Sequence, residues 1–117
     1  MNKNPETLQK ILGVDFDDTL FTSKWPDVGD PIWPVIRHVK MRKQQGWYII
    51  LVTCRSTDET IQAAIEAARS VGIVFDAVNE NHPQQIELYG GDSRKIYCDE
   101  YIDDKNITIE SLGWGRR

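Results

Sequence analysis

The chain has little that would take it out of water or staple it together. No apolar run approaches the ~18 residues that a membrane span needs, and the opening "MNKNPETLQK" lacks the apolar stretch of a secretory signal. A cytoplasmic protein with no membrane partner is the expectation. Only two cysteines are present, Cys54 and Cys98, each in or beside a strand-like run. Both are expected as small reduced core residues rather than as a disulfide or a metal pair. Basic charge is not in excess: the net charge is −4, which argues against a diffuse electrostatic hold on nucleic acid. Lys40, Arg42 and Lys43 form the densest basic group. They suit the solvated face and C-terminal end of a helix, where cations complement the macrodipole. No internal repeat or low-complexity segment is visible.

What is there is a composition ordinary for a globular protein, 40% hydrophobic and 27% charged over 117 residues. That length suits one domain, residues 1–117, and is too short for two comfortable cores. "KILGVDF" (10–16) reads as a buried strand, followed by a turn-rich loop or small flap over 17–30. A helix is expected from Asp30 with Pro31 at its first position, or from around Pro34, closing at Gly46. "WYIILVT" (47–53) is the strongest strand, with no polar alternation, as a strand covered on both faces requires. "STDETIQAAIEAARSVG" is the clearest helix, capped by Ser56, Thr57 or Asp58 and ended by Gly72. Further strands are read at 73–78 and 95–99 and an edge strand at "ITIES" (107–111). A long polar stretch with a helical turn at 84–88 separates the first two. Trp33 and Trp47 are expected in the core, and Trp25 in the flap. Strand–helix alternation predicts an α/β, three-layer Rossmann-like domain with a mostly parallel central sheet and no sizeable cap.

In such sheets ligands gather beyond the carboxyl ends of the strands. The polar residues of interest fall there: Asp15 and Asp17 follow the first strand, Thr53 ends the second, Lys95 starts a later one, and Asp103 and Asp104 come after it. Carboxylates clustered in one crevice demand a cation, and an oxygen-only donor set suits Mg²⁺. Asn79, just past a strand, and Arg55, next to Thr53, are candidate substrate contacts. Arg55 has two readings of equal weight: it meets a phosphate or it braces a carboxylate. His38 is read as a surface residue, His82 as a minor substrate-contact candidate, and Asp99 and Glu100 as solvated.

"DFDDTL" has the Asp-x-Asp-x-Thr form that opens the haloacid dehalogenase-like (HAD) phosphatases, and "ILVTCR" looks like their second motif. Lys95 resembles the third motif and "YIDD" the fourth, all in the family's order. The compact "KIYCDEYIDDK" spacing is similar to that of small capless members of bacterial or phage origin. Lys95 lies closer to Asp103 than in many relatives, so Arg94 is the alternative holder of the third-motif role.

The resemblance implies a Mg²⁺-dependent phosphomonoester hydrolase. Asp15 would form an aspartyl-phosphate, Asp17 would act as general acid and base, and Thr53 and Lys95 would hold the phosphoryl oxygens. Asp15, Asp17 through its backbone carbonyl, Asp103 and Asp104 would hold the metal, and Thr19 would brace the first loop. Asp18 stands where many relatives carry Gly; it takes no part in the chemistry and is counted on the substrate side. The substrate would be a phosphorylated small molecule or macromolecule. An open site without a lid leaves room for a covering partner subunit, including a second copy of the chain. Two other classes share parts of this pattern. A receiver-type phosphoacceptor domain also uses acidic groups, Thr and Lys, but in another order. A non-catalytic HAD-like binding module would more cheaply have lost Asp15 or Asp17.

Overall fold

The computed structural model describes residues 8–115, so the N-terminal segment read as lacking a signal falls almost wholly outside the described residues. Strand β1 (Ile11–Val14) is buried along its whole length. A hairpin follows, β2 (Phe21–Lys24) and β3 (Asp27–Pro31). Then come helix α1 (Trp33–Gln44), β4 (Tyr48–Leu51), helix α2 (Asp58–Ser70), β5 (Ala77–Val78), helix α3 (Pro83–Tyr89) and β6 (Glu100–Ile102). The central sheet runs β5-β4-β1-β6 with every pairing parallel.

The order of that sheet decides where a site can form. The chain steps from β1 outward through β4 to β5, then returns to lay β6 on the other flank of β1. The outward crossovers α1 and α2 pack on one face, against Leu12, Val14, Ile49 and Leu51. The return carries α3 to the opposite face, where His82 meets the Tyr48 ring. Helices therefore sit on both sides, in three layers. The reversal of winding opens a crevice between the carboxyl ends of β1 and β6, the topological switch point at which open α/β sheets bind ligands.

Local sequence explains most boundaries. Thr57 caps α2 by accepting from the Thr60 backbone N–H at 3.2 Å. Helix α1 starts at the later of the two expected places, with Pro34 in its first turn, because Asp30 is drawn into β3 by Thr22, whose hydroxyl accepts its N–H. The flap is more regular than a loop: the β2–β3 hairpin folds over the core, burying Phe21.

Other expectations need correction. Residues 95–99 are not a strand; the strand is β6, five residues on. Tyr101 Oη reaches the Ile96 carbonyl and accepts from the Cys98 N–H, holding 96–98 against the sheet as a loop. Gly13 admits that loop, since a Cβ there would lie 2.6 Å from Cys98 Sγ. The 73–78 strand is reduced to Ala77–Val78, and "ITIES" forms a 3₁₀ turn over Glu110–Leu112. Thr108 closes that turn by accepting from the Ser111 N–H and hydroxyl, so the segment adds no strand beyond β6. Cys98 is buried, which pushes its thiol up to about 12, but Cys54 is exposed because β4 ends before it. Trp33 is 47% exposed, and Trp47 lies half-buried under the Arg42 guanidinium. Glu100 is not merely solvated: Arg42 and His38 both bind it, and Arg42 draws its carboxyl down to about 2. Asp99 likewise accepts from the Ile11 N–H at 2.8 Å.

Candidate metal and phosphate site

Register brings the site residues together. Val14, Leu51 and Ile102 lie level in neighbouring strands, and Leu51 pairs with Val78. The next residues of the four strands therefore form one row along the crest: Asp15, Val52, Asn79 and Asp103. Asp15 is held at the switch point by its own N–H to the Ile102 carbonyl, 2.9 Å, and its Oδ1 accepts from the Phe16 N–H at 2.8 Å.

Asp15, Asp103 and Asp104 each present a carboxylate oxygen, all within 4.8 Å of one another. Such a group could hold a metal ion. Beside it lies a cavity of about 200 Å³ lined by Gly13, Asp15, Val52, Lys95, Tyr101, Ile102, Asp103 and Asn106. The cluster strains its own electrostatics. Asp15 is raised from 3.8 to about 6, chiefly by burial, against which the Phe16 N–H works; the charges of Asp103 and Asp104 raise it further. Lys105 offsets part of the charge by donating to Asp104 at 3.1 Å, and it holds Asp104 below the usual range. Three oxygen donors with a charge only partly compensated and adjacent open volume fit a hard divalent cation such as Mg²⁺.

Asp17 stands apart. Both its oxygens accept from Arg55, at 2.8 and 2.9 Å, and its carboxylate is not among the three clustered groups. Arg55 is fully buried and also donates to the carbonyls of Pro26, Asp27 and Thr60. All five of its N–H groups are thus engaged within the chain. The brace is the reading that the structure favours, and no donor is left for a phosphate. Sequence spacing gave no sign that this one side chain ties together the β1 loop, the hairpin and α2, with the Trp25 ring 5.1 Å away.

The remaining expected residues divide by what already occupies them. Thr53 Oγ1 accepts from the Arg55 N–H at 3.1 Å, which leaves its own hydroxyl proton free to donate. Asn79 is a clamp: its Oδ1 takes the Thr53 N–H and its Nδ2 gives to the Thr53 carbonyl, both 2.9 Å, so its amide is not open to substrate. Asp18 is exposed and has one oxygen engaged. It has φ 60°, and its Oδ1 accepts from the Ser23 N–H at 2.8 Å. A short polar side chain tolerates that left-handed turn, and here it anchors the hairpin. Lys95 lines the Asp15 cavity, whereas Arg94 lines a neighbouring hollow with Asn79 and Asn81. Thr19 is buried, with its hydroxyl unpartnered, beneath the first loop.

Fold and crest together define a parallel α/β protein with a cluster of three acidic residues, able to hold a metal ion, at its switch point. A solved structure of a conserved protein of Bacteroides thetaiotaomicron is similar to it, with TM-score 0.72 and 31% identity. The match covers 86% of this chain and 79% of the other. No family model matches the chain, nor does any curated protein. Among the described residues no helix is long and apolar enough to cross a membrane.

Proposed function

We propose that the chain is an HAD-like, Mg²⁺-dependent phosphomonoester hydrolase. One observation carries the reading: Asp15, Asp103 and Lys95 line one cavity at the switch point, with Asp104 in reach of both acids. The order of the "DFDDTL", "VTCR", Lys95 and "YIDD" segments agrees with it. A carboxylate nucleophile, an ammonium and a carboxylate-held cation are what phosphoryl transfer needs, because its catalysis is mostly positioning and charge neutralisation.

An Asp15 oxygen attacks phosphorus, the bond to the ester oxygen breaks, and an aspartyl-phosphate forms. Asp17 gives a proton to the leaving oxygen and then takes one from the water that cleaves the acyl phosphate. Lys95 and the Thr53 hydroxyl hold the phosphoryl oxygens, with Asn79 fixing the Thr53 backbone. When bound by Asp15, Asp103 and Asp104, Mg²⁺ supplies charge neutralisation for the phosphoryl group. Each Asp17 oxygen accepts one bond from Arg55 and keeps a second lone pair, through which the proton passes while the ion pair stays formed.

A panel of phosphate monoesters assayed with Mg²⁺, with EDTA, and with the Asp15→Asn variant tests the reading. Metal-dependent, repeated phosphate release that is abolished by the substitution is expected. Equal release by wild type and Asp15→Asn overturns it. A single phosphorylation of Asp15 without turnover would indicate a receiver-type phosphoacceptor instead.

A further inference from the structure

The crest carries a second hollow, of about 360 Å³, that the chemistry above does not use. It lies on the β5 side and is lined by Asn79, Asn81, Asp92, Ser93, Arg94 and Ile96. The two hollows flank a single stretch of chain: Lys95 lines the one that holds Asp15, and its neighbour Arg94 lines the other. Asn79 borders the second hollow while clamping the Thr53 backbone.

Most polar groups of this hollow are committed; the exceptions are the Arg94 guanidinium and Asp92 Oδ2. Asn81 donates to Asp92 Oδ1 and to the Ser93 carbonyl, both 2.9 Å, and accepts from the Tyr97 N–H at 2.8 Å. Ser93 donates to the Lys95 carbonyl. These bonds hold the 92–97 loop in shape. Arg94 has no hydrogen bond or ion pair among the described residues, and it forms none with Asp92 two positions away. A rigid loop therefore presents a free guanidinium to a polar hollow beside the site. A planar fork of this kind binds phosphate or carboxylate in bidentate fashion.

From this geometry we propose that Arg94 forms a second anion subsite, and that the substrates are phosphomonoesters carrying a second phosphate or carboxylate. This rests on the phosphatase reading for the first subsite. Asp15 follows β1 and Asn79 follows β5, two strands away, so adjacent-strand spacing sets the two anions about 10 Å apart. Asp92, the one carboxylate of the hollow, disfavours crowded polyanions there and helps to limit the subsite to one group.

The probes are α,ω-alkanediol bisphosphates of increasing length, each compared with its monophosphate. Binding is measured by titration with Mg²⁺ present on an Asp15→Asn background, where no ligand is consumed, and KM and kcat on otherwise wild-type protein. The second phosphate is expected to tighten binding at one preferred length. Arg94→Ala should weaken that bisphosphate about tenfold, as loss of one charge-assisted contact does, leave its monophosphate unchanged, and raise KM with little change in kcat. Arg94→Lys should restore part of the gain, and Arg37→Ala, on the exposed face of α1, should change nothing. If the second phosphate brings no gain in wild type, or Arg94→Ala weakens both ligands equally, the subsite is overturned. Arg94-dependent binding without hydrolysis would keep the subsite and remove the phosphatase reading, and hydrolysis indifferent to Arg94 would do the reverse.

Discussion

Asp15 is the residue in which the demands of fold and site conflict. Its backbone N–H closes onto β6, while its half-buried carboxyl is pushed up to about 6 by burial and by two acidic neighbours. A raised carboxyl destabilises the folded state wherever it is ionised. In metal-free protein the penalty is absent below pH 3.8, grows as pH rises toward about 6, and is complete above that. Asp15→Asn removes it. In EDTA the variant should therefore be more stable than wild type at neutral pH, by about 1–2 kcal/mol once solvent screening of a half-exposed group is allowed for. That is a rise of several degrees in Tm, and the difference should vanish near pH 4. Thermal melts at the two pH values check it; a variant less stable at both would mean that Asp15 is held by contacts other than those seen. Asp18 gives a second lesson at this scale. Its left-handed turn is one that suits Gly, and Asp is tolerated there while adding a bond to the Ser23 N–H, a duty that residue type alone does not reveal.

The element that most depends on one side chain is the β2–β3 hairpin. Arg55 binds the carbonyls of Pro26 and Asp27, stacks near Trp25, and pairs with Asp17 at its entrance. Removing Arg55 leaves the part-exposed Asp17 carboxylate and the carbonyls of Pro26, Asp27 and Thr60 without their donor, at a combined cost of about 3–5 kcal/mol. Arg55→Ala is expected to lose stability by about this amount in chemical denaturation and to loosen the hairpin, read as faster amide exchange over 21–31. A loss below about 1 kcal/mol would place the pair among weak surface ion pairs. The sequence had left Arg55 balanced between phosphate and carboxylate. Only burial decided the matter, by showing every donor already engaged. Element positions followed a similar division. α2 was legible from its cap and apolar spacing, whereas "KIYCD" has strand composition but is held as a loop by Tyr101, a contact that composition does not encode.

For the whole molecule, the switch point makes the acidic cluster a joint between the first strand and the last. Asp15, Asp103 and Asp104 would hold a metal ion there, and it would neutralise part of their mutual repulsion where β1 pairs with β6. Ligands that bind only the folded state stabilise it by mass action, about 2.7 kcal/mol at a hundredfold excess over Kd. Added Mg²⁺ should raise Tm in wild type and have little effect in an Asp103→Asn, Asp104→Asn double variant. An equal rise in both would remove the metal from this site. The sequence by itself determined the layered parallel α/β class, because apolar runs without alternation need cover on both faces and strand–helix alternation supplies it. It also placed Asp15, Thr53 and Asp103 just past strand ends, since motif spacing along a chain is a local property, whereas Lys95, read as opening a strand, lies in the loop before β6. Tertiary structure alone decided which of them meet. Strand order put β6 beside β1 and so joined Asp103 to Asp15, while Asp17 went to Arg55 and Arg94 parted from Lys95. Those outcomes depend on register and on burial, both set by contacts between residues far apart in the chain.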